Sequence, residues 1–306
     1  MRGSDGMQEA LFTVAKLEDF VPADHPLRPI RLLVNEALSR LSGLFNTIYA
    51  DTGRASIAPE KLMRAMLIQV FFSVRSERQL MEQVRYNLLY RWFIGLAIDD
   101  EVWDHSSFSK NRDRLIEHAV VEGFFTEVMT LADKRGLLSK EHFSVDGTLI
   151  QAWASHKSFV RKDGGRDDAN GGGGRNAQAD WKGKPRSNDT HASTTDPDAR
   201  LFRKSHNTAA IMSYQGHVLM ENRSGLAVEA VVTHADDFGE RAAALPMLGT
   251  VPGRAPKTLG ADKAYDTRDF IDACRRRRVT PHVASNDTRI GGSAAHGVML
   301  NHAHQA

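Results

Sequence analysis

Two aspartates, Asp146 and Asp262, have the sequence surroundings that metal-dependent phosphoryl chemistry requires. Each follows a short run of apolar and β-branched residues typical of a strand, and each is followed by sequence that turns or changes element. Because open α/β sheets place their sites beyond the carboxyl ends of the strands, we expect the two carboxylates to converge. Carboxylate oxygens are hard ligands, which suit Mg²⁺ or Mn²⁺. Two such ions activate the attacking oxygen and stabilise the leaving oxygen in phosphoryl transfer.

An aspartate at the end of a strand also has a simpler interpretation, because its side chain often caps a turn. The two interpretations differ in geometry. If both residues bind metal, their carboxylates should lie about 4 to 7 Å apart, so that they share one ion or bridge two. A large separation, or placement on opposite faces of the sheet, would leave turn capping as the explanation.

The elements that position these aspartates follow a helical region, which we assign to residues 1–138. Pro59 opens a segment with apolar residues at helical spacing. Ser76 and Gln79 have the spacing of a capping box at the start of the next helix. A further helix is predicted to end at Gly136. This segment carries three basic residues, Lys110, Arg112 and Arg114, which fit a DNA-docking module. The alternative is a plain helical bundle with a solvated charged face.

From His142 the pattern changes to strands, and we assign residues 139–306 to a second, catalytic domain. Within it, residues 156–207 are polar and Gly-rich, with eleven Lys and Arg against seven Asp, and are predicted to form a flexible insert. Two strands, a helix from Glu240 to Leu248 and an alternation of strand and helix follow. This order predicts an α/β layer fold with a mixed sheet.

The composition is that of an ordinary soluble globular protein, with 41% hydrophobic and 25% charged residues. The formal net charge is only +2, so nucleic-acid binding would have to come from local basic patches. Cys274 is the single cysteine, which excludes an intramolecular disulfide and suggests the cytosol. No apolar run approaches the roughly 20 residues that span a bilayer, and no signal peptide is recognisable. We therefore expect a cytoplasmic protein without a membrane partner.

Several long motifs in order, from about Leu11 to Ala284, resemble bacterial insertion-sequence transposases of the IS-five group. They include VPADHPLRPIR, FSVDGTLIQAWASHKSF, YQGHVLMENRSGLAVEAVVTHA and LGADKAYDTRDF. The resemblance implies a ribonuclease-H-like core, cleavage of double-stranded DNA at terminal inverted repeats, joining of the ends to target DNA, and a homo-oligomer on DNA. Asp146 matches the first catalytic, metal-binding aspartate of that family and Asp262 the second, with Mg²⁺ or Mn²⁺ as the cofactor. Tyr265 and Asp266 match companion residues of the second motif.

The chain departs from the family at its carboxyl end. The third catalytic residue of the family is a glutamate on a basic helix after the last core strand. The tail at 287–306 matches nothing in the family, and the last glutamate, Glu240, precedes Asp262. We therefore expect a truncated or frameshifted transposase with impaired activity. The alternatives are a catalytically inactive DNA-binding fragment that represses a full-length transposase, and a simple metal-dependent nuclease.

Overall fold

A computed structural model of the protein describes residues 1–6, 16–50, 52–53, 55–163, 187–204, 208–251 and 256–285. The tail at 287–306 and the middle of the polar insert, 164–186, lie outside the described residues. The chain divides into two compact units, Met1–Gly136 and Leu137–Ala306. Among the described residues, no helix combines the length and the apolar character needed to cross a bilayer.

The first unit is helical, as its apolar spacing predicted. In its described part the helices are α1 Leu17–Phe20, α2 Leu27–Arg40, α3 Ser42–Ile48, α4 Pro59–Phe71, α5 Glu77–Tyr86, α6 Leu88–Ile94, α7 His105–Glu117 and α8 Val120–Lys134. Ser76 caps α5 as expected, because its side chain accepts a hydrogen bond from the backbone N–H of Gln79. The core of the unit includes Leu62, Phe93 and Phe108, which are fully buried.

Two long segments with continuous apolar spacing, between Ser76 and Gly95 and between Asp104 and Gly136, each form two helices. Asn87 separates α5 from α6, and its side chain accepts a hydrogen bond from Tyr90 N to cap the second helix. Ala119 separates α7 from α8 with a left-handed backbone (φ 52°). The N-cap of α7 is Asp104, whose Oδ1 accepts a hydrogen bond from Ser106 N at 2.8 Å. Apolar periodicity continued across both breaks, so it did not reveal them.

The second unit is built on a mixed sheet with helices packed against it. In its described part the strands are β1 His142–Gln151, β2 Phe159–Arg161, β3 His191–Ser193, β4 Arg200–Phe202, β5 Ile211–Glu221, β6 Leu226–His234, β7 Lys257–Ala261 and β8 Val279–Val283, and the helices are α9 Gly239–Thr250 and α10 Arg268–Arg276.

The sheet has the order β6-β5-β1-β7-β8, and β4 pairs with the first residues of β5 on the same side as β6. The strand β5 is antiparallel to β1 and β6, whereas β1, β7 and β8 run parallel to one another. Counted without the insert strands, this is the order 3-2-1-4-5 with an antiparallel second strand. The predicted ribonuclease-H-like mixed sheet, preceded by a helical region, is therefore confirmed.

The core of this unit lies between the sheet and the two helices. Phe143 and Val145 of β1 are buried with Met247 of α9 and with Phe270 and Cys274 of α10. The alternation along β1 explains this, because every second side chain points to the same face. The helix α9 packs on β5 and β6, and α10 packs on β8.

The described ends of the polar insert are more ordered than its composition suggested. The strands β2 and β3 form an antiparallel pair, and β4 joins the main sheet beside β5. The Asn188 side chain holds β4, since it donates to Leu201 O at 3.0 Å and accepts from Leu201 N at 2.8 Å. A small apolar cluster that includes Phe159 and Met212 buries apolar surface at these described ends.

Replacing Leu259 with alanine should destabilise the second unit. The Leu259 side chain is fully buried in β7, and such a deletion costs on the order of 2–5 kcal/mol. Hydrogen exchange of β1 amides, measured by mass spectrometry, should accelerate accordingly. The control is Val232→Ala on β6, where the side chain is 61% exposed and the change should stay within about 0.5 kcal/mol. Equal effects of the two substitutions would contradict this description of the core.

Candidate active site

The two aspartates lie at the point where β7 separates from β1. The parallel pairing of these strands extends from His142–Thr258 to Ser144–Gly260. Asp146 lies two residues beyond this last pair on β1, and Asp262 lies two residues beyond it on the other chain segment, immediately after β7. Because neighbouring strands are about 4.8 Å apart, equal offsets from a shared pair bring the two residues into the same region.

The expectation that Asp146 ends its strand was wrong. The strand β1 continues to Gln151, because β5 pairs with it from Phe143 to Gln151 on the other side. Asp146 therefore lies in the middle of β1, opposite Val218 of β5. The neighbouring strand β7 ends near Asp146, at Ala261. The edge of β1 that faces β7 is therefore unpaired beside Asp146.

Each aspartate is exposed and makes a short hydrogen bond to the backbone that follows it. Asp262 Oδ1 accepts from Ala264 N at 2.8 Å and caps the 3-10 turn Lys263–Tyr265. Asp146 Oδ1 accepts from Gly147 N at 2.8 Å. The turn-capping interpretation thus describes Asp262 correctly. It does not exclude metal binding, because a carboxylate has two oxygens and several lone pairs.

A third carboxylate, Glu240, lies against the backbone of Gly147. A Cβ atom added to Gly147 would lie 2.7 Å from Glu240 Oε1 and 3.0 Å from Glu240 Cδ. Burial raises the pKa of Glu240, and the negative charges of Asp262 and Asp146 raise it further. Glu240 therefore lies within the electrostatic influence of both aspartates.

The first turn of α9 is held from two sides, which fixes where Glu240 begins. Asp236 Oδ1 accepts from Phe238 N at 2.7 Å and from Gly239 N at 2.5 Å. On the other side, Arg241 Nη1 donates to Ala264 O at 2.9 Å, in the turn that Asp262 caps. The start of α9 is thereby tied to the loop that carries the second aspartate.

One lysine compensates part of the negative charge. Lys204 Nζ donates to Gly147 O at 3.1 Å, and its positive charge lowers the pKa of Glu240, in opposition to burial and the aspartates. Lys204 belongs to the predicted insert, so this described end of the insert contributes a group to the acidic region.

Tyr265 lies buried behind the acidic groups. Its side chain is 1% exposed, and its ring packs edge-to-face on Phe270 with centroids 5.3 Å apart. The buried hydroxyl has no hydrogen-bond partner among the described residues. Burial raises the pKa of this phenol, and the charges of Glu240, Asp262 and Asp146 act in the same direction. Asp266, the other companion residue, is also buried.

The described residues contain no group of three or more His, Cys, Asp or Glu side chains arranged to hold a metal ion. Asp146 and Asp262 carry exposed side chains, which can adopt other rotamers at small cost, whereas Glu240 is half-buried. The predicted separation of the two aspartate carboxylates therefore stays a prediction.

The basic residues noted in the sequence are in different situations. Arg112 forms ion pairs with Glu77 and Asp113, and Arg114 stacks on the Tyr49 ring at 5.2 Å. These two residues are thus engaged within the helical unit, whereas Lys110 is exposed. The run of four arginines, Arg275–Arg278, is exposed throughout, and α10 ends within it at Arg276.

The sequence did not predict that Glu240 lies near the two aspartates. The resemblance placed the third carboxylate after Asp262, and Glu240 precedes it. Two features of the sequence are consistent with this contact: a glycine directly follows Asp146, and Glu240 begins the predicted helix between the third and fourth core strands. Neither feature shows by itself that Gly147 and Glu240 meet, since they are distant in sequence.

Comparison with known families places both parts of the chain among transposases. The family model described as "Transposase DDE domain" matches residues 138–291, and "Transposase domain (DUF772)" matches residues 15–114. No curated protein matches the chain significantly.

Similar solved structures include the piggyBac transposase synaptic complex with hairpin DNA, at 9% identity and a TM-score of 0.35 over 84% of this chain. The chain spans only 49% of that piggyBac chain. The Mos1 transposase paired-end complex with left transposon end is 8% identical, with a TM-score of 0.23, over 87% of this chain and 69% of that one. A pre-cleavage Mos1 transpososome has the same identity of 8% and TM-score of 0.23, over 79% of this chain and 66% of that one.

Asp236→Ala should loosen the start of α9, because two backbone N–H groups lose their acceptor. Loss of such a cap costs about 1 kcal/mol. Amide exchange at residues 238–241 should accelerate, while amides in the core of β5 change little. Asp237→Asn, an exposed neighbour, is the control. Unchanged protection of the first turn in Asp236→Ala would show that Asp236 does not hold it.

Proposed function

The chain belongs to the family of DDE transposases, and we propose that it cleaves DNA at terminal inverted repeats and joins the ends to target DNA, with activity impaired by the departure from the family at its carboxyl end. The observation that carries the proposal is the placement of Asp146 and Asp262 at equal offsets beyond the last β1–β7 pair. The reaction would take place on double-stranded DNA in the cytoplasm. A homo-oligomer would process two transposon ends together.

Asp146 and Asp262 would hold Mg²⁺ or Mn²⁺. Their oxygens are the hard donors that these ions prefer, and both side chains are exposed. The position of Glu240 supports this assignment, because the negative charges of Asp262 and Asp146 that raise its pKa would be balanced by a divalent cation. When bound, a pair of ions activates the attacking oxygen of a phosphoryl transfer and stabilises the leaving oxygen.

The chain's own residues would orient the DNA backbone and the acids. Lys204 places a positive charge at Gly147, where it can attract a phosphate to the edge of β1. Arg241 ties α9 to the turn after Asp262, so the groups from two elements keep a common geometry. Preorganised charges of this kind supply much of the rate in phosphoryl-transfer enzymes.

Asp146→Asn and Asp262→Asn should each abolish cleavage of DNA that carries the element's own ends. Loss of a preorganised charge-stabilising group lowers rates on the order of 10²–10³-fold, and loss of a metal ligand should lower them at least as much. The assay is strand cleavage of labelled duplex in Mg²⁺ or Mn²⁺, with Asp269→Asn, an exposed acid on α10, as the control.

Cleavage by Asp146→Asn at the parental rate would overturn the assignment of this residue. If the parent protein binds the ends without cutting them, the repressor hypothesis gains support instead. If it cuts duplexes regardless of sequence and joins none, a simple nuclease is the better description.

DNA affinity should fall steeply with salt, because each neutralised phosphate releases counterions and contributes about −0.9 to the slope of log K against log salt. Arg275 and Arg276 are exposed on the last turn of α10, whereas Arg277 Nη1 donates to Ala273 O at 3.1 Å. Changing Arg275 and Arg276 to Gln should therefore flatten the slope by about one for each phosphate that the variant no longer neutralises. Gel-shift titrations at several salt concentrations measure this, with Lys110→Gln in the helical unit for comparison.

If the parent protein's affinity for duplex DNA is independent of salt, or undetectable, both the transposase and the repressor hypotheses fail. If the slope of the double arginine variant equals that of the parent, the exposed arginines do not bind DNA phosphates.

A further inference from the structure

We propose that Glu240 is a third carboxylate of the metal site at Asp146 and Asp262, and that Gly147 lacks a side chain because Glu240 occupies its place. This inference rests on the proposed function, since it extends the same metal site. It assigns a role to a residue that precedes the second aspartate in the chain, where a third carboxylate was not expected.

The contact between Glu240 and Gly147 is the first observation. Glu240 Oε1, Cγ and Cδ all lie within 3.0 Å of the position that a Cβ on Gly147 would take. Gly147 is in β1 directly after Asp146, in an ordinary strand without a left-handed backbone. The glycine is therefore needed for space rather than for its backbone freedom, and the group that takes the space is a carboxylate.

The anchoring of α9 is the second step. Asp236 caps the turn before Glu240, and Arg241 directly after it binds Ala264 O in the turn capped by Asp262. Glu240 is thus held between a fixed helix start and the loop of the second aspartate. Such support on both sides is what a metal ligand requires if its carboxylate is to stay in a working position.

Tyr265 supplies an independent observation. Its hydroxyl is buried, has no hydrogen-bond partner among the described residues, and lies in the field of Glu240, Asp262 and Asp146. An unpartnered buried hydroxyl is costly, which calls for an explanation. A phenol that donates to a ligand carboxylate is a common outer partner of metal sites, and Tyr265 has the burial and the charged neighbours for that role.

The charge balance points the same way. Glu240 is half-buried beside two acids, and burial and these acids raise its pKa although the positive charges of Lys204 and Arg241 act in the opposite direction. A divalent cation would offset the remaining negative charge. Coordination by all three groups requires the side chains of Asp146 and Asp262 to rotate toward Glu240, and their exposure leaves them free to do so.

The test is Mn²⁺ binding by the full chain without DNA, measured by calorimetry and by the electron paramagnetic resonance of free Mn²⁺. Glu240→Gln should weaken Mn²⁺ binding at least about tenfold, as removal of a supporting group at metal sites does. Asp237→Asn, three residues earlier and exposed, should bind like the parent. Thermal unfolding gives a second readout: without metal, Glu240→Gln should unfold at the same or a higher temperature, because the repulsion is relieved, whereas Mn²⁺ should stabilise it less than the parent.

Gly147→Ala gives a matched test that leaves the carboxylate in the chain. The added methyl group should displace the flexible end of Glu240 and weaken Mn²⁺ binding about as much as Glu240→Gln does. In a Glu240→Ala background the same glycine substitution should have little further effect, because nothing remains to be displaced. Additive losses would mean that Gly147 acts independently of Glu240 and would count against the proposal.

The outcomes separate this inference from the proposed function. If the parent does not bind Mn²⁺, or if Asp146→Asn and Asp262→Asn bind as it does, the proposed metal site itself fails. If the two aspartate variants lose the ion while both Glu240→Gln and Gly147→Ala retain it, the site stands and Glu240 is not part of it. If Glu240→Gln does not fold, Gly147→Ala and its combination with Glu240→Ala decide the question.

Discussion

The parallel pairing of β1 and β7, and the level at which it stops, determines the rest of the candidate site. Both strands belong to the centre of the sheet, and their last shared pair is Ser144 with Gly260. Beyond that pair, β1 continues under the support of β5, while β7 turns away at Asp262. This divergence leaves one edge of β1 open beside two carboxylates. If the pairing extended further, backbone hydrogen bonds would fill the region that the proposed reaction assigns to a metal ion and a DNA phosphate.

The start of α9 approaches the sheet at the same level, close to β5 and to Gly147 of β1. At its start α9 comes so close that a Cβ on Gly239 would overlap Gln215 Oε1 of β5, and Glu240 covers Gly147 in a similar manner. Two glycines thus allow a helix to approach where side chains would hold it away. The apolar residues further along α9, Ala244 and Met247, then bury themselves against the sheet. The burial of apolar side chains and the position of Glu240 therefore both depend on how closely α9 packs against the sheet.

The polar insert has a more definite relation to the sheet than its composition indicated. Its described end carries Lys204 to the Gly147 carbonyl and adds β4 to the sheet beside β5. A segment with few apolar residues cannot form a core of its own, but short parts of it can use an existing sheet edge and an existing core. A positive charge from the insert beside the acids is one consequence. Composition alone reports the average of such a segment and not its attachment points.

The sequence by itself determined the broad features: a helical region, the change to strands near His142, an α/β order with strands before helices, and the two aspartates as the acids of interest. These features depend on local periodicity and on residues close in the chain, which a sequence displays directly. It did not determine the breaks at Asn87 and Ala119, because apolar spacing continues through them. Nor did it reveal that Asp146 lies within β1, since the length of a strand depends on its partner. Only the tertiary structure decided that Glu240 lies on Gly147, because that contact joins residues far apart in sequence through the packing of a helix on a sheet.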